Sequence, residues 1–208
     1  MPNTSDDAPR PYPEQARELL VDVVLDSADR LIRAGGWART RMEAIAQASG
    51  VSKPTLYRVF GTREQLASAY LDREVDRLTG VLRGALPGPA HRKDDPVGTV
   101  RRMLVLVLEA LSDNPIVNAI LTEDSSAASL LPLLTVHGDR LLERAAARLV
   151  ELSSEWLPEI EEADRRVLAD TIIRLLLSYS VLPGRSIEDT ADTIIALVRP
   201  FLEDALGS

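Results

Sequence analysis

The stretch from Thr40 to Leu66, TRMEAIAQASGVSKPTLYRVFGTREQL, constrains the fold more than any other part of the chain. Met42, Ile45 and Ala46 recur at i, i+3 and i+4, which gives a short helix one apolar face. Gly50 follows, where a chain leaving a helix needs a residue that tolerates positive φ. Ser52 is a good N-cap, and Pro54 suits the first turn of a new helix, where its missing N–H is not needed. Leu56, Val59 and Phe60 can face inward from this second helix, which leaves Lys53, Thr55, Tyr57 and Arg58 to point elsewhere. Thr62 caps a third helix, with Glu64 and Gln65 in its positive first turn.

Two short helices joined by a turn containing Gly form a helix-turn-helix, whose second helix can lie in the DNA major groove. Such a helix needs outward polar side chains for base edges and phosphates, with basic groups nearby. Between Arg30 and Leu66 the chain supplies Arg30, Arg33, Arg39, Arg41, Lys53, Arg58 and Arg63, opposed only by Glu43 and Glu64. The formal charge of the whole chain is −8. The local positive excess is therefore segregated, a small basic reading head on a larger acidic body.

The same residues resemble the N-terminal signature of the TetR family of bacterial transcriptional repressors. The matching parts are Trp37 after Gly35-Gly36, Thr40 at the opening of the second helix, Ile45-Ala46, Gly50-Val51-Ser52, Thr55-Leu56-Tyr57, Phe60, and Arg63 before Glu64-Gln65-Leu66. Val59 departs from the pattern, since family members often carry His or Tyr there, and Arg63 stands where Lys is commoner. The resemblance implies a double-stranded DNA operator as partner. It assigns Thr40, Arg41, Tyr57 and Arg63 to phosphate contacts, and Lys53, Thr55 and Arg58 to bases or nearby backbone. Ser52 has two readings, DNA contact or cap alone.

At 208 residues the chain can form one medium domain or two small ones. Aromatic residues are 4% of the total, so the core is built from Leu, Ile, Val and Ala, which favours helices. Residues 1–12, with Pro2, Pro9 and Pro11, read as a flexible tail. A first helix is expected from Glu14 to Ala34, with Ala16, Leu19, Leu20, Val23, Ser27, Ala28 and Leu31 on one face and Gly35-Gly36 as its stop. Trp37 reads as a core residue beside it. The third helix of the signature continues to about Arg83, and residues 84–96 form a loop rich in Gly, Pro and charge.

Beyond that loop the pattern predicts helices at 95–112, 116–121, 137–156, 164–182 and 187–206, with a polar break at Glu123–Ser126, a short apolar piece at Ala127–Leu134 and a bend at Pro200. The last two helices carry apolar residues nearly all round, so each needs a second surface to cover it. The absence of strand-like alternation makes the expected fold all-α: an N-terminal three-helix head over 13–61 and a helical body over 62–208. The resemblance implies a homodimer paired through the last two helices, presenting two heads to a palindromic site.

A body this large exceeds what DNA binding requires. In similar regulators it holds a small-molecule effector, and the expected lining is Met103, Leu104, Val107, Ile120, Leu121, Leu130, Leu141, Trp156, Ile173, Leu176 and Tyr179. The scarcity of polar groups in that set points to an apolar or amphipathic effector. No cysteine is present, which excludes disulfides, thiol catalysis and cysteine-ligated zinc. His91, His137, Glu123 and Asp124 lack metal-ligand spacing, and Ser153 and Ser154 lack a nucleophile elbow. No cofactor, metal or catalytic residue is therefore expected. The N-terminus lacks the regions of a signal peptide and no apolar run approaches ~18 residues, so the expectation is a cytoplasmic protein without a membrane span. The rival reading is a protein-interaction module that keeps the helix-turn-helix but no longer binds DNA, supported by Val59 and the acidic total.

Overall fold

The computed structural model describes residues 12–88, 91, 94–121, 138–182 and 184–206. All regular structure among them is helical: α1 (Tyr12–Arg39), α2 (Met42–Ser49), α3 (Lys53–Phe60), α4 (Arg63–Ala85), α5 (Pro96–Ser112), α6 (Pro115–Leu121), α7 (Gly138–Trp156), α8 (Glu162–Val181) and α9 (Ile187–Leu206). They form two compact units that divide between Leu66 and Ala67.

In the first unit α1 is interrupted at Gly36, whose φ of 74° and ψ of 165° are open to glycine alone. The interruption delivers Trp37 to the interior, where it is buried. The buried face of α1 is Val24, Leu25, Ser27, Ala28 and Ile32: Ser27 and Ala28 are buried as expected, whereas Val24, Leu25 and Ile32 take the place of Val23 and Leu31. Leu19 is 66% exposed and Val23 48%. Adjacent apolar pairs such as Leu19-Leu20, Val23-Val24 and Leu31-Ile32 left two registers open, and packing on α2 favours the one that buries Val24 and Ile32.

The turn between α2 and α3 follows the chemistry of its residues. Gly50 takes the left-handed conformation (φ 70°), and the Val51 N–H donates to the Ala46 carbonyl at 3.1 Å. Ser52 Oγ then accepts from the Thr55 N–H at 3.3 Å, opening α3 with Pro54 in its first turn. Met42, Ile45, Leu56 and Phe60 meet in the core of the unit. At α4 the cap is reciprocal: Thr62 Oγ1 accepts from the Gln65 N–H at 3.2 Å, and Gln65 Oε1 accepts from the Thr62 N–H at 2.8 Å. The Thr-x-x-Gln spacing is a capping box, which satisfies two N–H groups at once.

In the second unit α7 packs on α8 and α5 packs on α9. Leu104 and Leu108 of α5, Ile172 and Leu176 of α8, and Ile194, Ile195, Val198 and Leu202 of α9 build one core, closed at one end by Trp156, Leu157 and Ile160. Asp95 caps α5 by accepting from the Gly98 N–H at 2.8 Å. Asn114 caps α6 through two backbone N–H groups at 3.0 and 3.2 Å. α9 runs through Pro200 as one helix. Among the described residues of this unit, Val81, Val167, Leu182 and Leu197 are large apolar side chains left exposed; Val167 of α8 is 64% exposed and Leu197 of α9 is 62% exposed. The expected break at Glu123–Ser126, the piece at Ala127–Leu134, Leu130 and His137 lie outside the described residues, as do the side chains of Ile120 and Leu121.

α4 and α7 are joined by ion pairs. Asp76 of α4 accepts from Arg148 Nε at 2.9 Å and also from Arg144, both on α7. Arg83 of α4 donates to Glu155 at 2.9 Å and approaches Glu151 at 3.8 Å. Partial burial pushes the Asp76 carboxyl up, but the two guanidinium hydrogen bonds and their charges outweigh it and hold the group below its usual range. A lowered carboxylate pKa stabilises the fold in full above the unfolded value, ordinarily near 3.8, and the contribution is lost as pH falls through the lowered value.

Two outcomes follow from this packing. Ile194→Ala should destabilise the second unit by about 2–5 kcal/mol, read from urea unfolding followed by circular dichroism. Asp76→Asn should lower the melting temperature at pH 7, and the difference from the parent protein should shrink as pH is lowered below about 4, because the parent then loses the same ion pairs.

Candidate nucleic-acid interface and body cavity

α3 carries the outward polar set expected of it. Lys53, Tyr57 and Arg58 are exposed, and Thr55 is half-buried. Lys53 lies 3.7 Å from Glu43 in an ion pair exposed on both sides, a contact that holds little free energy and leaves the ammonium available. Ser52 is a working cap, and its hydroxyl also donates to Thr55 Oγ1 at 2.9 Å.

Arg41, Tyr57 and Arg63 are brought together around a shallow hollow, with Met42, Glu43, Gly61 and Thr62 completing its rim. Arg41 occupies the N-cap position of α2 and makes no side-chain cap, so the first N–H groups of α2 have no side-chain acceptor there. Helix N-termini with free N–H groups favour anions, and a hollow flanked by two arginines and a phenol is suited to a phosphate.

Two assigned phosphate contacts are placed differently from expectation. Thr40 is 2% exposed, and its hydroxyl donates to the Gly36 carbonyl at 2.9 Å. Its side chain braces the break in α1 instead of reaching outward, because the residue falls one step before the cap of α2. The Arg63 guanidinium lies 4.0 Å from the centroid of the Trp37 ring and donates to the Trp37 carbonyl. Burial lowers its pKa, Glu64 partly offsets this and Arg41 adds to the lowering, yet an arginine stays charged throughout the physiological range. Arg63 thus forms the floor of the hollow through a cation–π contact.

The second unit contains a cavity of about 250 Å³. Seven of the residues expected to line it do so: Met103, Leu104, Val107, Leu141, Trp156, Ile173 and Leu176. Tyr179 packs against the neighbouring core instead and is not on the wall. Ile120, Leu121 and Leu130 fall outside the described side chains. The wall contributed by α4, namely Leu71, Val75, Leu78 and Leu82, was not anticipated, although its spacing of i, i+4, i+7 and i+11 marks one helical face. Among the described residues no group of three or more His, Asp or Glu side chains is placed to hold a metal ion. No helix among them is long and apolar enough to cross a membrane.

Comparison with known proteins agrees with this geometry. Residues 24–70 match the family model for bacterial regulatory proteins of the tetR family, and residues 95–200 match that for the bacterial tetracyclin repressor C-terminal domain. The transcriptional regulator AlkX of Mycobacterium tuberculosis is 32% identical over 198 residues, spanning 93% of this chain and 90% of the relative. The transcriptional repressor KstR of Rhodococcus jostii is 26% identical over 186 residues, spanning 87% of this chain and 82% of the relative. The crystal structure of AlkX from Dietzia sp., a TetR family repressor implicated in biodegradation of n-alkanes, superposes with a TM-score of 0.75 at 27% identity, covering 88% of this chain and 97% of that one. A helix-turn-helix head, an all-helical body and these matches over nearly the whole length make the chain a member of the TetR family, a DNA-binding transcriptional regulator and not an enzyme.

Proposed function

We propose that the protein is a dimeric, cytoplasmic repressor, released from a palindromic operator when a small apolar or amphipathic effector fills the body cavity. Residues 13–61 serve as the reading head and residues 62–208 as the effector-binding and dimerisation body. The observation that carries this reading is the double use of α4. The helix starts at Arg63 beside the hollow of the head, and further along, Leu71, Val75, Leu78 and Leu82 line the cavity. An occupant that favours one position of α4 over another thereby acts on the helix whose first turn belongs to the head.

In this reading Arg41 and Tyr57 grip phosphate from the rim of the hollow, and Arg63 adds charge from beneath. Lys53, Thr55 and Arg58 face the bases and nearby backbone, with Ser52 and Thr40 holding the helices that carry them. The exposed Val167 and Leu197 on α8 and α9 support pairing of two copies through these helices, since each is a large apolar side chain left outside its own core. The n-alkane connection of the Dietzia relative supports an aliphatic effector.

Selection of bound duplexes from a random pool should enrich a palindrome. Affinity for it should fall roughly 10³-fold or more between about 50 and 200 mM salt, as expected when two heads together neutralise about six phosphates. Arg41→Ala should reduce the slope of log affinity against log salt by about two per dimer, one contact per head. Lys53→Ala should cost about 1–3 kcal/mol and relax the preference at its base position. Failure to enrich any sequence, with the fold intact, would favour an interaction module that no longer reads DNA.

A further inference from the structure

Glu43 is out of place in a basic head. Between Arg30 and Leu66 only Glu43 and Glu64 oppose seven cations. Of the two, Glu43 is the one on the hollow assigned to phosphate, beside Arg41, Tyr57 and Arg63. A carboxylate there weakens attraction to a polyanion. Part of its presence has a local reason, since an acid in the first turn of α2 complements the positive end of that helix. That role needs only the position on α2 and does not explain where the side chain reaches. Glu43 Oε1 lies 3.7 Å from Nζ of Lys53, across the turn on the first residue of α3. With both side chains more than half exposed the pair adds little to stability, so its consequence lies in what Lys53 can bind.

The acceptors that DNA offers to an ammonium differ in charge. Base-edge atoms such as guanine N7 and O6 are neutral, whereas phosphate oxygens are anionic. An ammonium carries three N–H donors on a flexible stem, so Lys53 can keep one on Glu43 and turn the others outward. Set between a carboxylate and a base edge, it serves both. Set between a carboxylate and a phosphate, it draws two anions together, and their repulsion offsets the contact.

We propose that Glu43 is a specificity-determining residue: by holding Lys53 it cancels the pull of that ammonium on phosphate and leaves its N–H groups to a base edge. The inference rests on the operator reading above and concerns the same face of the head. Glu43 lowers affinity for every duplex, and lowers it most where Lys53 has only phosphate to bind, which widens the gap between operator and other DNA. Lys53 then contributes hydrogen bonds at its base position and little to the salt dependence.

The test compares the full-length protein with Glu43→Gln on the selected operator and on a random duplex of equal length, by fluorescence anisotropy from about 50 to 200 mM salt. Glu43→Gln should bind the random duplex about fivefold more tightly, with a log–log salt slope steeper by about one per head, and change operator affinity less than about twofold. A purely structural role predicts the opposite sign, because loss of the first-turn acid would loosen α2 and weaken both duplexes. Equal tightening on both duplexes is a general charge effect and overturns the proposal, as does an unchanged affinity for the random one. Glu64→Gln removes the same charge from the head and should move both duplexes alike; a matching fall in the operator-to-random ratio there also overturns it. In a Lys53→Ala background Glu43→Gln should leave the ratio where it is, and a fall there overturns the route through Lys53. If selection enriches no operator, the operator reading fails, and the salt slope on the random duplex still decides whether Glu43 masks Lys53.

Discussion

A void of about 250 Å³ inside a helical unit is the constraint around which the body is arranged. Protein interiors pack as densely as organic crystals, so a cavity of this size marks a place where the helices do not close on one another. Close packing is concentrated in the pairs α5 with α9 and α7 with α8. Across the opposite wall, α4 is tied to α7 by Asp76 with Arg144 and Arg148, and by Arg83 with Glu155 and Glu151. Arginine side chains are long and their pairs here are partly exposed, so they contribute little net stability. Their effect is geometric: they fix which residues of α4 and α7 stand opposite one another.

The head solves a different problem, that of aiming a few polar side chains from two helices of eight residues each. Helices this short are not stable on their own, and their positions come from the interior they share. Gly36 turns the chain so that Trp37 fills that interior, Thr40 ties the break to the following turn, and Arg63 closes over the indole. Three residues with polar or amphipathic side chains are thereby spent on rigidity. Lys53, Tyr57 and Arg58 remain outward on a helix whose start is fixed by Ser52 and whose end is fixed by Gly61. Precise placement of those three side chains is what base and phosphate recognition requires.

Features governed by local chemistry were legible in the sequence. Gly50, Ser52, Pro54, Thr62 and the ends of α5 and α9 stand where turn and cap preferences put them. Seven residues of the cavity wall were legible too, because residues on the inner face of a body helix face the cavity as readily as the core, whereas the wall from α4 was missed. Features that depend on which of two surfaces wins were not. α1 carries adjacent apolar pairs, and packing on α2 separates Val24 from Val23 and Ile32 from Leu31. Arg63 reads as a surface cation until an indole is placed 4.0 Å beneath it.

These elements together define what an effector can do. A ligand shifts an equilibrium only by the difference in its affinity for the two states, however tightly it binds either. The cavity wall offers a source for such a difference, because it is shared among α4, α5, α7 and α8. Packing against Leu71, Val75, Leu78 and Leu82 depends on where α4 lies, whereas packing against Ile173 and Leu176 depends on α8. Affinity can therefore be set largely on one wall of the site and coupling on another. An occupant that touched α8 without reaching α4 would fill the site and leave the two states equally favoured. Reach to α4 would then govern the response.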